Sequence, residues 1–339
     1  YYCPLALQLS TYWNCEPQCA HCFLRRLNRT WGEDLRPLSI PDFERQILRG
    51  IDNAHPGTPL GHAIRQRKTV YIGAKSDPYQ PAELIHRATR NALKILLSHG
   101  FSVVIATMFT DNVVEDAELL ERYKSQVTLM PIVSPGLERD WEVLERRATT
   151  NPMRRLAQAR NWADRGFRVG INGEPFIPGF HTVADFARVI QLICDYGLKS
   201  YNTYNLHLND WNAKAMYQAG VDIERVWEMN QDGPWRDILQ ELISIAAAAG
   251  VVLGCPDFVN SGGYAEPVNT CCGFDVPNPC TFNLITWKKL RARGMSDEQI
   301  IECTWDGVGD KEEGRRLLAG GVKELYTLDD IKRDDGKLI

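Results

Sequence analysis

Three cysteines stand within eight residues of one another near the start of the chain: Cys15, Cys19 and Cys22, spaced Cys-x3-Cys-x2-Cys in Trp13-Asn14-Cys15-Glu16-Pro17-Gln18-Cys19-Ala20-His21-Cys22-Phe23. Three thiolates on so short a loop can each take one iron of a cubane cluster and leave the fourth iron without a protein ligand, open to chemistry. Zinc sites more often show two Cys or His pairs separated by a longer stretch, and bacterial ferredoxins use Cys-x2-Cys-x2-Cys followed by a fourth Cys. The triplet fits neither. Ordinary thiols grouped by chance, or a zinc knuckle that borrows His21, are the alternatives the residues leave open.

A second group, Cys255, Cys271, Cys272 and Cys280, lies in a Gly-, Pro- and Asn-rich stretch. Its thiols can hold an auxiliary [4Fe-4S] cluster, since Gly and Pro let the chain wrap tightly. Adjacent cysteines seldom ligate one metal together, so Cys271 or Cys272 is also a candidate catalytic relay or hydrogen-atom donor. A zinc site and plain reduced cysteines remain alternatives. Cys3, Cys194 and Cys303 read as bystanders, Cys194 as a small hydrophobe on an apolar helix stripe.

These residues need a scaffold. Short apolar runs alternate with amphipathic helices, the pattern of a parallel sheet wrapped by helices. The expected strands are Leu5–Thr11, Thr69–Ala74, Phe101–Met108, Val127–Val133, Phe167–Gly173 and Tyr201–Leu208, six for the core. A helix over Ala82–Ser98 places Leu84, Ile85, Ala88, Ala92, Ile95 and Leu96 on one stripe, with Gly100 as its stop. Asn151-Pro152 reads as an N-cap followed by Pro at the first helical position. Thr182-Val183-Ala184-Asp185 reads as a capping box closed by Gly197, and Trp235–Ala249 as a further helix ended by Gly250.

The chain divides near Gly250, giving a barrel over 1–250 and a C-terminal extension over 251–339 that opens with a strand at Val251–Gly254 and ends in an acidic stretch. With 339 residues, 44% of them hydrophobic, there is enough to build a substantial core. No apolar run of about 18 residues appears, so no membrane span is expected, and the first residues do not read as a signal peptide. Thiols that must stay reduced to hold iron point to the cytoplasm. The net charge of −4 argues against strongly electrostatic nucleic-acid binding.

The triplet resembles the signature of the radical S-adenosylmethionine (SAM) enzymes. In that family SAM chelates the open iron, and reduction of the cluster cleaves SAM to methionine and a 5′-deoxyadenosyl radical that abstracts hydrogen from a substrate. The fold implied is a partial (β/α)6 TIM barrel, with the first cysteine just after strand one and the site at the C-terminal strand ends. Gly73-Ala74-Lys75-Ser76-Asp77-Pro78-Tyr79-Gln80-Pro81-Ala82-Glu83 is similar to the corresponding segment of the spore photoproduct lyase and DNA repair photolyase-like branch. So are Glu145-Arg146-Arg147-Ala148 with Arg154-Arg155-Leu156, and Phe176-Ile177-Pro178-Gly179.

The resemblance covers residues 5–180. It implies that Ser76 and Asp77, with Tyr79 beside them, bind the SAM ammonium, Glu145 the ribose hydroxyls, and Arg154 or Arg155 the carboxylate; Asp-Pro-Tyr as an ordinary turn, with Glu83 capping the next helix, is the plain alternative. Strand alternation would turn Asn172 and Glu174 into the mouth as further cofactor-binding candidates, and Asn205 or His207 with them. Met108-Phe109 after Thr107, where relatives have Lys, and His21 between the cysteines depart from the branch pattern. The expected function is therefore radical SAM chemistry fed by a reductant such as flavodoxin or ferredoxin. It would act on a nucleobase in DNA or RNA, or alternatively on a small metabolite or peptide. The rival of another class is a non-catalytic iron–sulfur or zinc protein.

Overall fold

The computed structural model describes residues 7–24, 34–56 and 59–254, together with 277, 278, 294, 296 and 299. Strand β1 (Leu7–Leu9) is followed by a short antiparallel pair, β2 (Tyr12–Trp13) and β3 (Arg36–Pro37). Helices α1 (Ile40–Asp52) and α2 (Pro59–Arg65) lead to β4 (Val70–Ile72), and α3 (Glu83–His86) and α4 (Ala88–Ser98) to β5 (Val103–Thr107). Then come α5 (Ala117–Arg122), β6 (Val127–Pro131), α6 (Glu138–Val143), α7 (Pro152–Asp164), β7 (Arg168–Val169) and β8 (Ile171–Asn172). Helix α8 (Val183–Asp195) precedes β9 (Ser200–Asn202), and α9 (Asp210–Gln218), α10 (Ile223–Met229) and α11 (Asp232–Ala248) precede β10 (Val252–Gly254).

Strands β1, β4, β5, β6 and β7 form one parallel sheet in that order, and β8, β9 and β10 a second. Between β7 and β8 lies Gly170, whose N–H donates to the Leu129 carbonyl. The two sheets are continuous there, because Ile132 bridges Asn172 and the Val133 N–H donates to the Asn172 carbonyl at 2.7 Å. Apart from β7 and β8, which share one position, each wall strand pairs with the next in sequence, which is the winding of a barrel and not of a doubly wound sheet. The expected fifth strand is thus two half-strands, one bonded to each neighbour. The stretch expected to open the C-terminal extension, Val251–Gly254, joins the wall as β10, so the described wall has one position more than the six expected.

Strand β5 is buried on both faces along its whole length, as a parallel strand covered by helices on one side and filled on the other must be. The main core packs Ile72, Leu93, Leu96, Val103, Ile105 and Leu129, and a second core joins Ile171, Phe186, Tyr201, Trp235 and Leu242 around β8 to β10.

Local signals settle several helix ends. The Asn151 side chain accepts from the Arg154 N–H, and Thr182 and Asp185 form the reciprocal capping box. The expected helix over Ala82–Ser98 is broken instead: Arg87 adopts a left-handed conformation at φ 53°. Past that break the Glu83 carboxylate caps the new helix, accepting from the N–H groups of Thr89 and Arg90, and also from the Tyr12 hydroxyl. The break rotates Leu84 and Ile85 out of the stripe to the surface. Glu83→Ala is expected to lower stability by about 2–3 kcal/mol in urea unfolding, because it orphans a buried hydroxyl and two buried or half-buried amides at once.

Only short pieces of the C-terminal segment are described, and they include a clip at the opposite end of β4 from the cysteine loop. The Asn278 carbonyl accepts from the Thr69 N–H at 3.0 Å, and the Asn278 amide donates to the carbonyls of Gln66 and Arg67. The Thr69 hydroxyl donates to the Pro277 carbonyl. Cys3, Cys255, Cys271, Cys272, Cys280 and Cys303 lie outside the described residues. Among the described residues no helix is long and apolar enough to cross a membrane.

Candidate metal centre

The cysteine loop follows β1 and stands at the C-terminal ends of the parallel strands, where segments that follow β4, β6 and β9 reach it. Its backbone is held from three sides. The Glu16 N–H donates to the Gln80 side chain at 2.7 Å, and the Glu16 carboxylate accepts from the Ala82 N–H at 2.8 Å. The Ala20 N–H donates to the Leu144 carbonyl at 2.9 Å, beyond α6. From α9, the Asn212 amide donates to the His21 carbonyl and the Asn209 amide to the Phe23 carbonyl. Asn14 and Gln18 take positive φ, and the Cys22 N–H closes a turn onto the Cys19 carbonyl.

The thiols lie in a demanding electrostatic setting. Burial pushes the Cys15 thiol well above its ordinary value, with Asp77 and Cys22 adding to the rise. Burial does the same to Cys19, reinforced by Glu145, Cys22 and Cys15 and opposed by Arg155. A bound cation would favour the thiolates of Cys15 and Cys19, and iron is such a cation.

Arg155 is fully buried, and its charge reaches Cys19, where it opposes the rise of the thiol. Its Nε donates to the Thr150 carbonyl, and one terminal nitrogen donates to the Ile132 carbonyl and to Glu145 at 2.8 Å. The other terminal nitrogen, Nη2, is buried with no hydrogen-bond partner among the described residues, as is His21 Nδ1. Three soft sulfur donors on one anchored loop, beside a buried cation with an unspent N–H, fit an anionic iron–sulfur cluster. Among the described residues no group of three or more His, Cys, Asp or Glu side chains is set to hold a single metal ion. A cubane asks for something else, because each thiolate takes its own iron.

The residues expected to contact SAM are mostly drawn into bracing the site. The Ser76 hydroxyl donates to the Tyr12 carbonyl. The buried Asp77 carboxylate accepts from the Thr107 hydroxyl at 2.6 Å, the Met108 N–H at 2.7 Å and the Tyr79 N–H at 2.9 Å, which ties the end of β4 to the end of β5. Burial raises its carboxyl to about 6, against the pull of those donors. The Asp77 N–H points at Cys15 Sγ, 3.2 Å away. Just before this segment, Gly73 has φ +111°, and a Cβ there would run into the Ala106 carbonyl.

The Tyr79 hydroxyl donates to Asp116 in the core. Glu145 accepts from the Ser134 hydroxyl and from Arg155, a fully buried pair, while Arg154 faces outward to Asp111 at 2.6 Å. Asn172 accepts from the Glu174 N–H, and Glu174 accepts from the Asn202 amide, so both stand together at the end of β8.

Sequence reasoning missed a buried dyad. The Ile177 N–H donates to His181 Nδ1, so Nε2 carries the proton and donates to Asp140 at 2.7 Å. The pair joins the segments that follow β6 and β8. Burial pushes the Asp140 carboxyl up, but His181, Arg139 and the Gly136 N–H together outweigh it and hold it below the usual carboxylate range. A depressed carboxyl contributes stability above its unfolded pKa of about 4 and loses it as pH falls. Asp140→Asn is therefore expected to lower stability at pH 7 by about 1–3 kcal/mol and to flatten its decline below about pH 4, read by urea unfolding at several pH values.

No family model matches the sequence. An uncharacterized protein of Mycobacterium tuberculosis is 24% identical over 264 residues, covering 71% of this chain and 73% of that protein. An uncharacterized protein of Acidianus two-tailed virus is 29% identical over 145 residues, 43% of this chain and 46% of that one. Among solved structures, Streptococcus suis SuiB bound to S-adenosylmethionine superimposes with a TM-score of 0.54 at 15% identity, over 83% of this chain and 56% of SuiB. The chain thus spans little more than half of the SuiB chain. A point mutant of spore photoproduct lyase superimposes with a TM-score of 0.50 at 14% identity, over 75% of each chain. The partial barrel is the fold these structures share with this chain.

Proposed function

We propose that this chain is a radical SAM enzyme, with Cys15, Cys19 and Cys22 as the protein ligands of one [4Fe-4S] cluster. The observation that carries the reading is the Cys-x3-Cys-x2-Cys loop, anchored at the C-terminal ends of a barrel shared with a structure that binds SAM. When bound, cluster and SAM supply the reductive cleavage that yields methionine and a 5′-deoxyadenosyl radical. The chain's own residues fix the loop, through Gln80, Leu144, Asn209 and Asn212. They also bring the charges of the buried Arg155–Glu145 pair to bear on Cys19, and lock the ends of β4 and β5 through Asp77. Asn172 and Glu174, paired through Asn202 at the end of β8, are assigned to the cofactor side of the mouth, and Asn205 or His207 to its rim.

Iron and sulfide are to be counted after anaerobic reconstitution, and 5′-deoxyadenosine measured after reduction in the presence of SAM. The expected result is iron with sulfide and SAM-dependent product. Zinc in their place, with no SAM cleavage, would sink the reading in favour of a metal-binding scaffold.

The resemblance of residues 73–83 and 145–156 to the photolyase-like branch supports a nucleobase in DNA or RNA as substrate. Oligonucleotide binding that weakens steeply with salt is the expected signature, because phosphate contacts release counterions. Affinity that is absent or indifferent to salt would turn the reading to a small metabolite or peptide. For the second cysteine group the proposal is an auxiliary cluster, seen as iron in excess of one cluster that is lost when Cys255 and Cys280 are changed to alanine.

A further inference from the structure

The loop's third cysteine is gripped from an element far away in sequence. Helix α9 begins with a capping box in which the Asn209 carboxamide oxygen accepts from the N–H groups of Trp211 and Asn212, and the Asn212 oxygen accepts from the Asn209 N–H at 2.7 Å. That spends the oxygens of both side chains. Their nitrogens point the other way. Asn209 Nδ2 donates to the Phe23 carbonyl at 3.0 Å, and Asn212 Nδ2 donates to the carbonyls of His21 at 3.1 Å and His207 at 2.8 Å. His21 and Phe23 are the two neighbours of Cys22, so the two amides hold the peptide carbonyl on each side of it. Asn212 is fully buried and Asn209 nearly so.

A cap alone does not ask for asparagine at both positions. Ser, Thr or Asp serve equally well at the N-cap, and Glu or Gln is the usual partner at the third helical position. A short carboxamide supplies an acceptor oxygen for the helix and, on a separate atom facing the other way, N–H donors for the loop. The third bond, to His207, adds the segment that follows β9, whose ring also lies against Phe23 at 5.5 Å.

We propose that Asn209 and Asn212 are positioning residues for Cys22, a clamp that fixes the third cluster ligand against the strand-end segment 203–208. The inference rests on the proposed function for its meaning, though the clamp itself can be read without a cluster.

The test is the paired variant N209D/N212D. Aspartate keeps the acceptor oxygens and suits a helix N-terminus, so α9 stays capped while both amide donors are lost, and with them the bonds to Phe23 and His21 in the loop and to His207. Because a carboxylate at the buried position 212 can itself unsettle the chain, N209S/N212S is made alongside, its hydroxyls able to cap but too short to reach the loop. In the metal-free chain, the rate of iodoacetamide alkylation at Cys22 is followed by peptide mass spectrometry against Cys194 in the same molecule. The expected result, in at least one variant with the wild-type melting temperature, is alkylation of Cys22 faster by about tenfold. The reconstituted variant is also expected to lose iron to a chelator faster than wild type. Unchanged Cys22 alkylation and iron retention in a folded variant would overturn the clamp. Should the wild-type chain take up no iron, the proposed function falls, and the alkylation arm still decides the clamp.

Discussion

Changing Cys15, Cys19 and Cys22 together to alanine is expected to remove the iron and sulfide of the amino-terminal site. It should also cut 5′-deoxyadenosine formation by more than about a thousandfold, to the background of reductant and SAM alone, because the bound groups carry the chemistry the side chains cannot. The change should leave the barrel standing. The loop is tied down by bonds to its backbone, from Gln80, Leu144, Asn209 and Asn212, and none of them uses a thiol. Circular dichroism and a melting temperature close to wild type would accompany the loss. Undiminished product from the folded triple variant would show that this loop does not host the reaction.

The largest expected effect on stability comes from Arg155→Met. It strips a fully buried carboxylate, Glu145, of its cation, and leaves the carbonyls of Thr150 and Ile132 without the donors they now have. Removing one partner of a buried ion pair typically costs about 3–5 kcal/mol, and urea unfolding of the metal-free chain should show a loss in that range. Glu145→Gln keeps an acceptor for Ser134 and should cost less, about 1–3 kcal/mol. The neighbouring Arg154 is a sharp control. Its ion pair with Asp111 lies at the surface, and Arg154→Ala should change stability by no more than about 1 kcal/mol.

That contrast shows what was legible in the sequence and what was not. Sequence pattern finds features whose cause is local: the Asn151 cap, the capping box of Thr182 and Asp185, and the continuous apolar run that becomes β5. The cysteine spacing is local too, and so is its position after β1. The helix over Ala82–Ser98 fails because its stripe is good but Glu83 has a better use, closing back on Thr89 and Arg90 once Arg87 turns left-handed. Resemblance alone could not separate Arg154 from Arg155, since which of two adjacent arginines is buried depends on where α7 packs. The grip of Asn209 and Asn212 on a loop about 190 residues earlier leaves no trace in sequence pattern at all. Neither does the meeting of Asp140 with His181, which depends on the loops after β6 and β8 arriving at one point.

The clip formed by Pro277 and Asn278 bears on how the chain is made. Its partners, Gln66, Arg67 and Thr69, leave the ribosome more than 200 residues before it does. At bacterial to eukaryotic elongation rates that gap is roughly 10–40 s. For all of it the Thr69 N–H, which ends up in a fully buried residue, has no Asn278 carbonyl to meet, so the lower edge of β4 is finished only after almost the whole barrel has been synthesised. A contact of such sequence separation forms late in folding as well. Nascent chains stalled before residue 277 should therefore carry a nearly complete barrel with one unsealed seam, the place where a protease or a chaperone would find them first.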